Sequence, residues 1–183
     1  MLLDREKTAL AVIDIQQVLL PKSEEVTAAY LRAAVRMIRA AGVLGLPLLV
    51  TEQNPGRLGG THPEVLPELG DAPRIPKIEF GCLANPDFLA ALEASGRTQL
   101  LIIGMEAHVC VNQTALEALE RGFEVFVAED AVVSSTPEAR AAGLRRMERA
   151  GASLLTVDMA VFELLRRAGT PEFKAMLPML KGD

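Results

Sequence analysis

The sequence predicts a three-layer α/β/α domain built on a doubly wound parallel sheet. Three observations support this fold class: several short runs are almost wholly apolar, amphipathic stretches separate them, and the two kinds of segment alternate along the chain. Strands of a parallel sheet have this apolar character because helices cover both of its faces. The runs are ALAVID (9–14), LPLLVT (46–51), QLLIIG (99–104), FEVFVA (123–128) and SLLTVD (153–158).

Capping residues mark the predicted helices between these strands. Ser23 is expected to cap a helix over 24–41, which Gly42 would end. Proline is a common first residue of a helix, since the first turn leaves its N–H groups unpaired anyway. Such starts are Asn85-Pro86, Thr136-Pro137 and Thr170-Pro171, while Gly122 and Gly151 stand where helix-ending glycines are expected. Residues 52–84 are rich in glycine and proline and predict a long loop, interrupted by a short strand near 75–78.

Length and composition limit the class of protein. The chain has 183 residues, half of them hydrophobic, which suits one globular domain over 1–183. Its formal net charge is −5, so phosphate backbones would be repelled and a nucleic acid partner is not expected. No apolar run approaches the ~20 residues of a membrane-spanning helix, so no membrane partner is expected. Two cysteines without a CxxC pair predict a cytoplasmic protein with no disulfide framework.

A cysteine follows one of the predicted strands, at the edge where ligands bind in open parallel sheets. Cys110 lies a few residues after QLLIIG, where a helix is expected to begin. The N-terminus of a helix favours the thiolate, which is the reactive form of the side chain. A buried structural thiol is the alternative, because free cysteines are among the most often buried residues.

Two charged residues stand at the ends of other predicted strands. Asp14 closes the first apolar run, and Lys77 lies in the mostly apolar segment RIPKIEF. Each has an ordinary alternative, a turn or cap for the aspartate and a solvated surface position for the lysine. Together with Cys110 they make chemical sense: the carboxylate takes the thiol proton, the lysine holds the charges, and the sulfur attacks a carbonyl.

Three motifs in this order resemble the isochorismatase-like cysteine hydrolases. They are VIDIQ with Asp14, PKIEF with Lys77, and GMEAHVCVNQTA with Cys110. The resemblance covers nearly the whole chain, and it implies a Rossmann-like sheet of six parallel strands and those three residues as the catalytic set. It also implies a cis peptide at Met105–Glu106, with the backbone N–H groups of Glu106 and Cys110 as oxyanion donors. Dimers or larger homo-oligomers are expected by the same resemblance.

The segment after the second strand departs from the nicotinamidase branch, which has a metal site there. It reads TEQNPGRLGGTH and offers Glu52, with His62 well downstream. A catalytic metal needs at least three well-placed ligands, so we expect no metal and no other cofactor. The piece TEQ and the piece EAHVC look most like the isochorismatase-domain-containing proteins.

The substrate pocket is expected from residues near the strand ends. Gln53 and Phe80 are predicted for its wall, together with Gln16. The side chain of Glu106 is either a structural partner of a neighbouring loop or a determinant of substrate choice. Cys82 is expected to fill the core.

The sequence therefore predicts a hydrolase that cleaves a small amide or a related acyl compound through a thioester on Cys110. One alternative is hydrolysis of a non-amide small molecule, such as an isochorismate-like enol ether or an ester. Another is a redox-responsive or scaffolding protein on the same fold, because an activated thiolate is also a target of oxidation. A dinucleotide oxidoreductase is disfavoured, since the turn DIQQVLLP lacks the glycines that phosphate binding requires.

Overall fold

The computed structural model describes residues 2–180, and Met1 and residues 181–183 lie outside the described part. The strands are β1 (Thr8–Ile13), β2 (Leu48–Gln53), β3 (Arg74–Lys77), β4 (Gln99–Met105), β5 (Glu124–Val133) and β6 (Ser153–Leu155). The α-helices are α1 (Glu24–Leu44), α2 (Pro55–Leu58), α3 (Pro86–Ala94), α4 (Cys110–Glu120), α5 (Pro137–Ala150), α6 (Val157–Leu165) and α7 (Pro171–Leu180). Every helix within residues 2–180 is too short or too polar to cross a bilayer.

The six strands form one parallel sheet in the order β3-β2-β1-β4-β5-β6. The strand order reverses beside β1, which pairs with β2 on one side and with β4 on the other. Ligands of open α/β sheets bind outside the carboxyl ends of the strands at such a reversal. The topology therefore brings the ends of β1, β2 and β4 to one place, with β3 beside them.

Two hydrophobic cores lie on opposite faces of the sheet. On one face α1, α6 and α7 pack against the strands, with Ile38 and Met37 of α1 fully buried. On the other face the helices are α3, α4 and α5, and Phe88 of α3 is fully buried. Apolar residues from both faces of β1 enter these cores, which explains the unbroken apolar run of that strand. The predicted three-layer, six-stranded fold is confirmed.

The predicted end of the first helix is wrong. The helix passes through Gly42 and ends at Leu44, and Gly45 supplies the left-handed residue that closes it, with φ of 68°. The N–H of Gly45 donates to carbonyl groups of the last turn, as in common C-terminal caps. The extra turn buries Leu44 in the core, and this burial decides between two glycines that look equivalent in sequence.

A glycine allows β1 and β4 to approach each other closely at the sheet edge that carries the candidate functional residues. Gly104 has a φ of 134°, and an added Cβ would lie 2.1 Å from the carbonyl oxygen of Ile13. Neither the backbone conformation nor the space permits a larger residue. The register of β4 against β5 also shifts between Ile102 and Gly104, so an irregularity marks this point of the sheet.

Gly104→Ala is expected to lower the free energy of unfolding by roughly 2–4 kcal/mol, because it combines a disfavoured φ with a backbone clash. Gly42→Ala is the matched control, since Gly42 lies inside α1 with no atom within 4 Å of an added Cβ. This control should raise the free energy of unfolding by about 0.5–1 kcal/mol. Urea denaturation measures both. Equal effects of the two substitutions would contradict the close approach at Gly104.

Candidate active site

A buried ion pair joins the ends of β1 and β3. The Nζ of Lys77 lies 2.7 Å from Oδ2 of Asp14, and both side chains have no solvent exposure. Asp14 follows β1 directly and has a positive φ of 51°, which a residue other than glycine rarely adopts. Lys77 is the last residue of β3 and pairs in register with Gln53 of β2. The strands thus deliver opposite charges to one point inside the protein.

The two oxygens of the Asp14 carboxylate have different surroundings. Oδ1 accepts a hydrogen bond of 2.7 Å from the hydroxyl of Thr51. Oδ2 lies 2.7 Å from Nζ of Lys77, and the hydrogen bond between the two side chains is one of the causes that raise the pKa of Lys77. The carboxylate is therefore held by a hydroxyl on one oxygen and by an ammonium on the other.

The ammonium of Lys77 also contacts three other acceptors. It donates to Oε1 of Gln53 at 2.6 Å and to the carbonyl oxygens of Glu79 at 3.1 Å and Phe80 at 3.4 Å. Burial alone would lower the pKa of Lys77, but the charge of Asp14 and the two neighbouring cysteines raise it, and the net direction is upward. The lysine therefore stays charged in the interior.

Cys110 is the first residue of α4, at the end of the loop after β4. It is 5% exposed, and its Sγ lies 4.0 Å from Oε1 of Gln53, the same oxygen that binds Lys77. The three residues predicted as a catalytic set are thus brought to one cluster, with Gln53 between the lysine and the sulfur.

The resting form of Cys110 is a neutral thiol. Burial is the largest cause that raises its pKa, the charge of Asp14 adds to this, and Lys77 opposes it; the result is a pKa of about 12. The helix N-terminus is expected to favour the thiolate, and burial opposes this influence because the sulfur is almost completely removed from water. The sulfur needs a base that removes its proton.

The junction of β4 and α4 leaves three backbone donors without a protein acceptor. The N–H of Ala107 donates to the carbonyl of Val133, and the N–H groups of Val109 and Val111 donate to the carbonyl of Glu106. Among the described residues, the N–H groups of Glu106, His108 and Cys110 donate to no protein oxygen. The first and the last of these are the N–H groups expected as oxyanion donors.

The predicted cis bond at Met105–Glu106 is wrong, since every peptide bond within residues 2–180 is trans. The chain makes its turn here with a trans backbone, and the two hydrogen bonds to the carbonyl of Glu106 close that turn.

The carboxylate of Glu106 supports a neighbouring loop. It accepts a hydrogen bond of 3.1 Å from the N–H of Ser135, and it lies 3.3 Å from Nδ1 of His108. The same ring nitrogen lies 3.1 Å from the hydroxyl of Ser134. Of the two roles considered for this side chain, these contacts favour the structural one.

The three predicted pocket residues have different positions. Gln53 is 9% exposed and touches the cluster directly. The ring of Phe80 is at the surface with 55% of the residue exposed, while its carbonyl binds Lys77. Gln16 has no exposed surface, and its amide bonds the backbone of Gln53 and the carbonyl of Gly59. Gln16 therefore holds the backbone of Gln53, and its place in the pocket wall stays a prediction.

The residues considered for a metal are occupied by the loop that carries them. Glu52 accepts hydrogen bonds from the N–H and the hydroxyl of Thr61, and Nδ1 of His62 accepts from the N–H of Glu64. Within residues 2–180 no three His, Cys, Asp or Glu side chains are grouped as metal ligands.

Sequence reasoning missed two threonines that hold the cluster. Thr51 bonds Asp14, and Thr114 accepts from the N–H of Cys82 while donating to the carbonyl of Cys110. A signal for Thr51 existed, since it stands two residues before Gln53 on one strand and such residues share a face. Cys82 is fully buried, with Sγ 3.9 Å from the hydroxyl of Thr51, in agreement with its expected place in the core.

Access to the cluster is narrow. An open cleft of about 200 Å³ touches Lys77 and is lined by Asn54, Pro55, Pro76, Lys77, Ile78, Glu79 and Asn85. Neither Asp14 nor Cys110 lines it. The sulfur and the ion pair are thus largely removed from bulk solvent, which strengthens electrostatic interactions between them.

The fold and this cluster define a parallel α/β protein with its polar site at the reversal of strand order. The isochorismatase domain family matches residues 8–159. The chain therefore belongs to the isochorismatase family, which is a family of hydrolases.

Curated relatives agree with this membership. The secreted isochorismatase effector Isc1 of Phytophthora sojae is 39% identical over 150 residues, which cover 79% of this chain and 71% of that protein. Isochorismatase domain-containing protein 2A of the mouse is 38% identical over 151 residues, which cover 81% of this chain and 70% of that protein.

Solved structures share the whole fold. MAR1 ribonuclease of Caenorhabditis elegans has a TM-score of 0.90 at 31% identity, over 100% of this chain and 94% of that one. YcaC of Pseudomonas aeruginosa, solved with covalent acrylamide, has a TM-score of 0.87 at 30% identity, over 97% of this chain and 91% of that one. YcaC of Escherichia coli, an octameric hydrolase of unknown specificity, has a TM-score of 0.85 at 28% identity, over 98% of this chain and 87% of that one.

The reactivity of Cys110 with iodoacetamide is expected to rise with pH without a plateau up to pH 10, by about tenfold per unit, because only the thiolate reacts. A thiol of pKa about 12 is mostly protonated throughout this range. The urea-unfolded protein is the control and should reach its plateau near the free value of ~8.5. Peptide mass spectrometry reads both cysteines. A plateau of Cys110 below pH 8 in the folded protein would show that the thiolate is the resting form.

Thr51→Val is expected to lower the free energy of unfolding by about 1–3 kcal/mol, because it leaves Oδ1 of Asp14 buried without its donor. Thr51→Ser keeps the hydroxyl and should cost clearly less. Guanidinium denaturation of the two variants measures the difference. If serine and valine destabilise equally, the methyl group of Thr51 matters and the hydrogen bond does not.

Proposed function

We propose that the protein hydrolyses a small carboxamide or a related acyl compound, with Cys110 as the nucleophile. The observation that carries the proposal is a buried thiol, with a pKa raised by burial and by the carboxylate of Asp14, in one cluster with the Asp14–Lys77 ion pair. A carboxylate close to a protonated thiol is suited to take its proton at the moment of attack. Lys77, held by three acceptors, supplies a fixed positive charge beside both groups.

In the first step the S–H proton of Cys110 moves to Oδ2 of Asp14 as the sulfur bonds to the substrate carbonyl carbon. The electron pair of the C=O bond moves to the oxygen. The N–H groups of Glu106 and Cys110 are the donors proposed to stabilise this oxyanion, which is where preorganised dipoles contribute most. The tetrahedral intermediate then expels the amine, and Asp14 returns the proton to the leaving nitrogen.

In the second step water hydrolyses the thioester. Asp14 accepts a proton from the water as its oxygen bonds to the acyl carbon, and the proton then passes to the departing sulfur. The products are a carboxylic acid and ammonia or an amine, and Cys110 is again a thiol. No external oxidant or reductant is needed, because water is the only co-reactant and every proton passes through Asp14.

The burial of the site supports a small substrate. Cys110 is 5% exposed and Lys77 is 2% exposed, so little of either residue faces the solvent. The Pseudomonas relative, 30% identical, was solved with covalent acrylamide. Acrylamide alkylates nucleophiles at its vinyl carbon and keeps its amide bond, so this adduct bears on the reactivity of that protein and not on the hydrolysis of an amide.

The name of the C. elegans relative raises the question of RNA cleavage. The present chain has a net charge of −5, which opposes a polyanion. Both side chains of the ion pair are buried, which disfavours contact with a phosphodiester of a folded RNA. We therefore retain a small molecule as the substrate, without a nucleic acid partner.

We also propose that the chain forms a homo-oligomer, as the octameric E. coli relative does. A cytoplasmic location remains the prediction from the cysteine content, although the Phytophthora relative is described as secreted.

A second candidate is the hydrolysis of an isochorismate-like enol ether. The observation that favours it is the name of the Phytophthora relative, an isochorismatase at 39% identity. Protonation of an enol ether does not need attack by a sulfur, so Asp14 and Lys77 would act while Cys110 would not. The two candidates therefore differ in the fate of a single residue.

Cys110→Ala is expected to abolish release of ammonia from a panel of small carboxamides, a loss of at least about 10³-fold, because no thioester can form. Cys82→Ala is the matched control and should retain turnover, since its sulfur is fully buried. Acid quenching during turnover should trap an acyl group on the Cys110 peptide by mass spectrometry. Full turnover of isochorismate by Cys110→Ala, with no adduct in the wild type, would establish the second candidate instead.

A further inference from the structure

The segment that follows β3 holds the ammonium of Lys77 with its backbone. The carbonyl oxygens of Glu79 and Phe80 accept from Nζ at 3.1 Å and 3.4 Å. The side chains of this segment give it little anchorage in the core, because Ile78 is 76% exposed and Phe80 is 55% exposed. The position of the two carbonyl groups therefore depends on the residues that follow.

A short 3₁₀ helix, Cys82–Ala84, follows this segment, and side chains of α4 cap its first turn. The N–H of its first residue donates to the hydroxyl of Thr114 at 3.0 Å. The N–H groups of Leu83 and Ala84 bind the carboxylate of Glu117 and lower its pKa. Helix α4 thus supplies acceptors for three N–H groups that the turn itself leaves unpaired.

The carboxylate of Glu117 also lies against Gly81, the residue that joins the segment to the turn. An ideal Cβ added to Gly81 would lie 2.4 Å from Oε1 and 2.5 Å from Oε2 of Glu117. The φ of Gly81 is −75°, which any residue adopts, so glycine here makes room for the carboxylate and does not serve the backbone conformation. The carbonyl of Phe80 belongs to the peptide bond that precedes Gly81. The carboxylate therefore packs beside one of the peptide groups that hold Lys77.

The burial of this carboxylate is a cost to the fold. Oε2 of Glu117 is buried, and burial is the largest of the causes that raise the pKa of the side chain. Among the neighbouring charges on the same helix, Glu120 adds to this rise and Arg121 opposes it. An apolar residue at this position would avoid the cost, so the charge indicates a role beyond packing.

Glu117 and the nucleophile belong to the same helix. Cys110 begins α4, and Glu117 stands seven residues later, about two turns along nearly the same face. One rigid element therefore carries the sulfur at its start and, further along, the acceptor that fixes the loop around Lys77.

We propose that Glu117 is a positioning residue that fixes the loop 79–84 against α4 and thereby holds the ammonium of Lys77 beside Asp14 and Cys110. The inference rests on the proposed use of Lys77 as the fixed charge of the site. Lys77 lowers the pKa of Cys110, in opposition to burial and to Asp14. If the loop is released from α4, the ammonium moves away and the thiol ionises less readily.

Glu117→Gln tests this role, because it keeps the shape of the side chain and replaces one acceptor oxygen by an NH₂ group. Hydrogen–deuterium exchange of peptides that cover 79–85 should become about fivefold faster, as expected for the loss of one hydrogen bond. The rate of Cys110 alkylation by iodoacetamide between pH 8 and 10 should fall about threefold, since less of the thiol is ionised at each pH. Glu120→Gln is the matched control: it removes the same charge from an exposed position of α4 and should change neither rate.

The two measurements separate the possible outcomes. If Glu117 only stabilises the loop, exchange becomes faster and the pH–rate profile of alkylation does not move. If the loop only covers the sulfur, alkylation becomes faster in Glu117→Gln. Either result overturns the proposal, and so does unchanged exchange in that variant.

Gly81→Ala tests the same contact from the other side, and it serves if Glu117→Gln does not fold. The added methyl group should displace the carboxylate, which is the end of a flexible side chain, and alkylation of Cys110 should slow as in Glu117→Gln. In a Glu117→Ala background the carboxylate is gone, so Gly81→Ala should have no further effect. Additive effects of Gly81→Ala and Glu117→Ala would contradict the proposal, since residues that act through one contact are not independent.

Turnover gives a further test. On a carboxamide substrate Glu117→Gln should lower kcat with little change in KM, since Lys77 acts on the reacting groups. An unchanged kcat in the folded variant counts against the role. Alkylation and exchange need no substrate, so they test Glu117 even if no amide proves to be hydrolysed. A failure of the proposed function and a failure of the role of Glu117 are thereby distinguished.

Discussion

The ion pair between Asp14 and Lys77 is the interaction on which the site depends. Both side chains are removed from water, so neither charge is tolerable without the other and without further hydrogen bonds. The protein meets this demand with residues from three strands and the following loops: Thr51 bonds the carboxylate, while Gln53 and two carbonyls bond the ammonium. Almost every other feature of the cluster serves this need, including the strained backbone at Asp14.

Burial also determines which form of the nucleophile is present. A sulfur at a helix N-terminus beside a lysine is often described as a ready thiolate, but here loss of water outweighs both influences and keeps the proton on Cys110. A protonated nucleophile is less exposed to adventitious oxidation, because oxidants also react with the thiolate. The scaffold or redox-sensor alternative gains no support from a sulfur in this form. The proposed hydrolysis therefore needs the carboxylate of Asp14, which removes the proton from the thiol.

Sequence reasoning reached the fold and the position of the site because both follow from local patterns. Apolar runs gave the strands, and the rule that ligands bind at strand ends directed attention to Asp14 and Cys110. The apolar flank RIPKIEF directed attention to Lys77, and the resemblance added its place in the catalytic set. What could not be predicted depends on tertiary packing: the choice of Gly45 over Gly42 at the end of α1, the trans bond at Met105–Glu106, and the two hydrogen bonds from Gln16 to the backbone of Gln53. Thr51 shows the intermediate case, since its strand position was visible but its partner was not.

The lysine of the pair is carried by β3, a strand of four residues at the edge of the sheet that pairs with β2 alone. Edge strands are ordinarily the first part of a sheet to fray, since half of their backbone groups have no neighbour. Here fraying would withdraw Lys77 and leave the carboxylate of Asp14 alone in the interior. The ion pair thus links the edge strand β3 to the central strand β1. Local opening of β3 carries the free-energy cost of leaving the Asp14 carboxylate buried without its counter-charge. The edge strand is therefore expected to unfold together with the centre of the sheet.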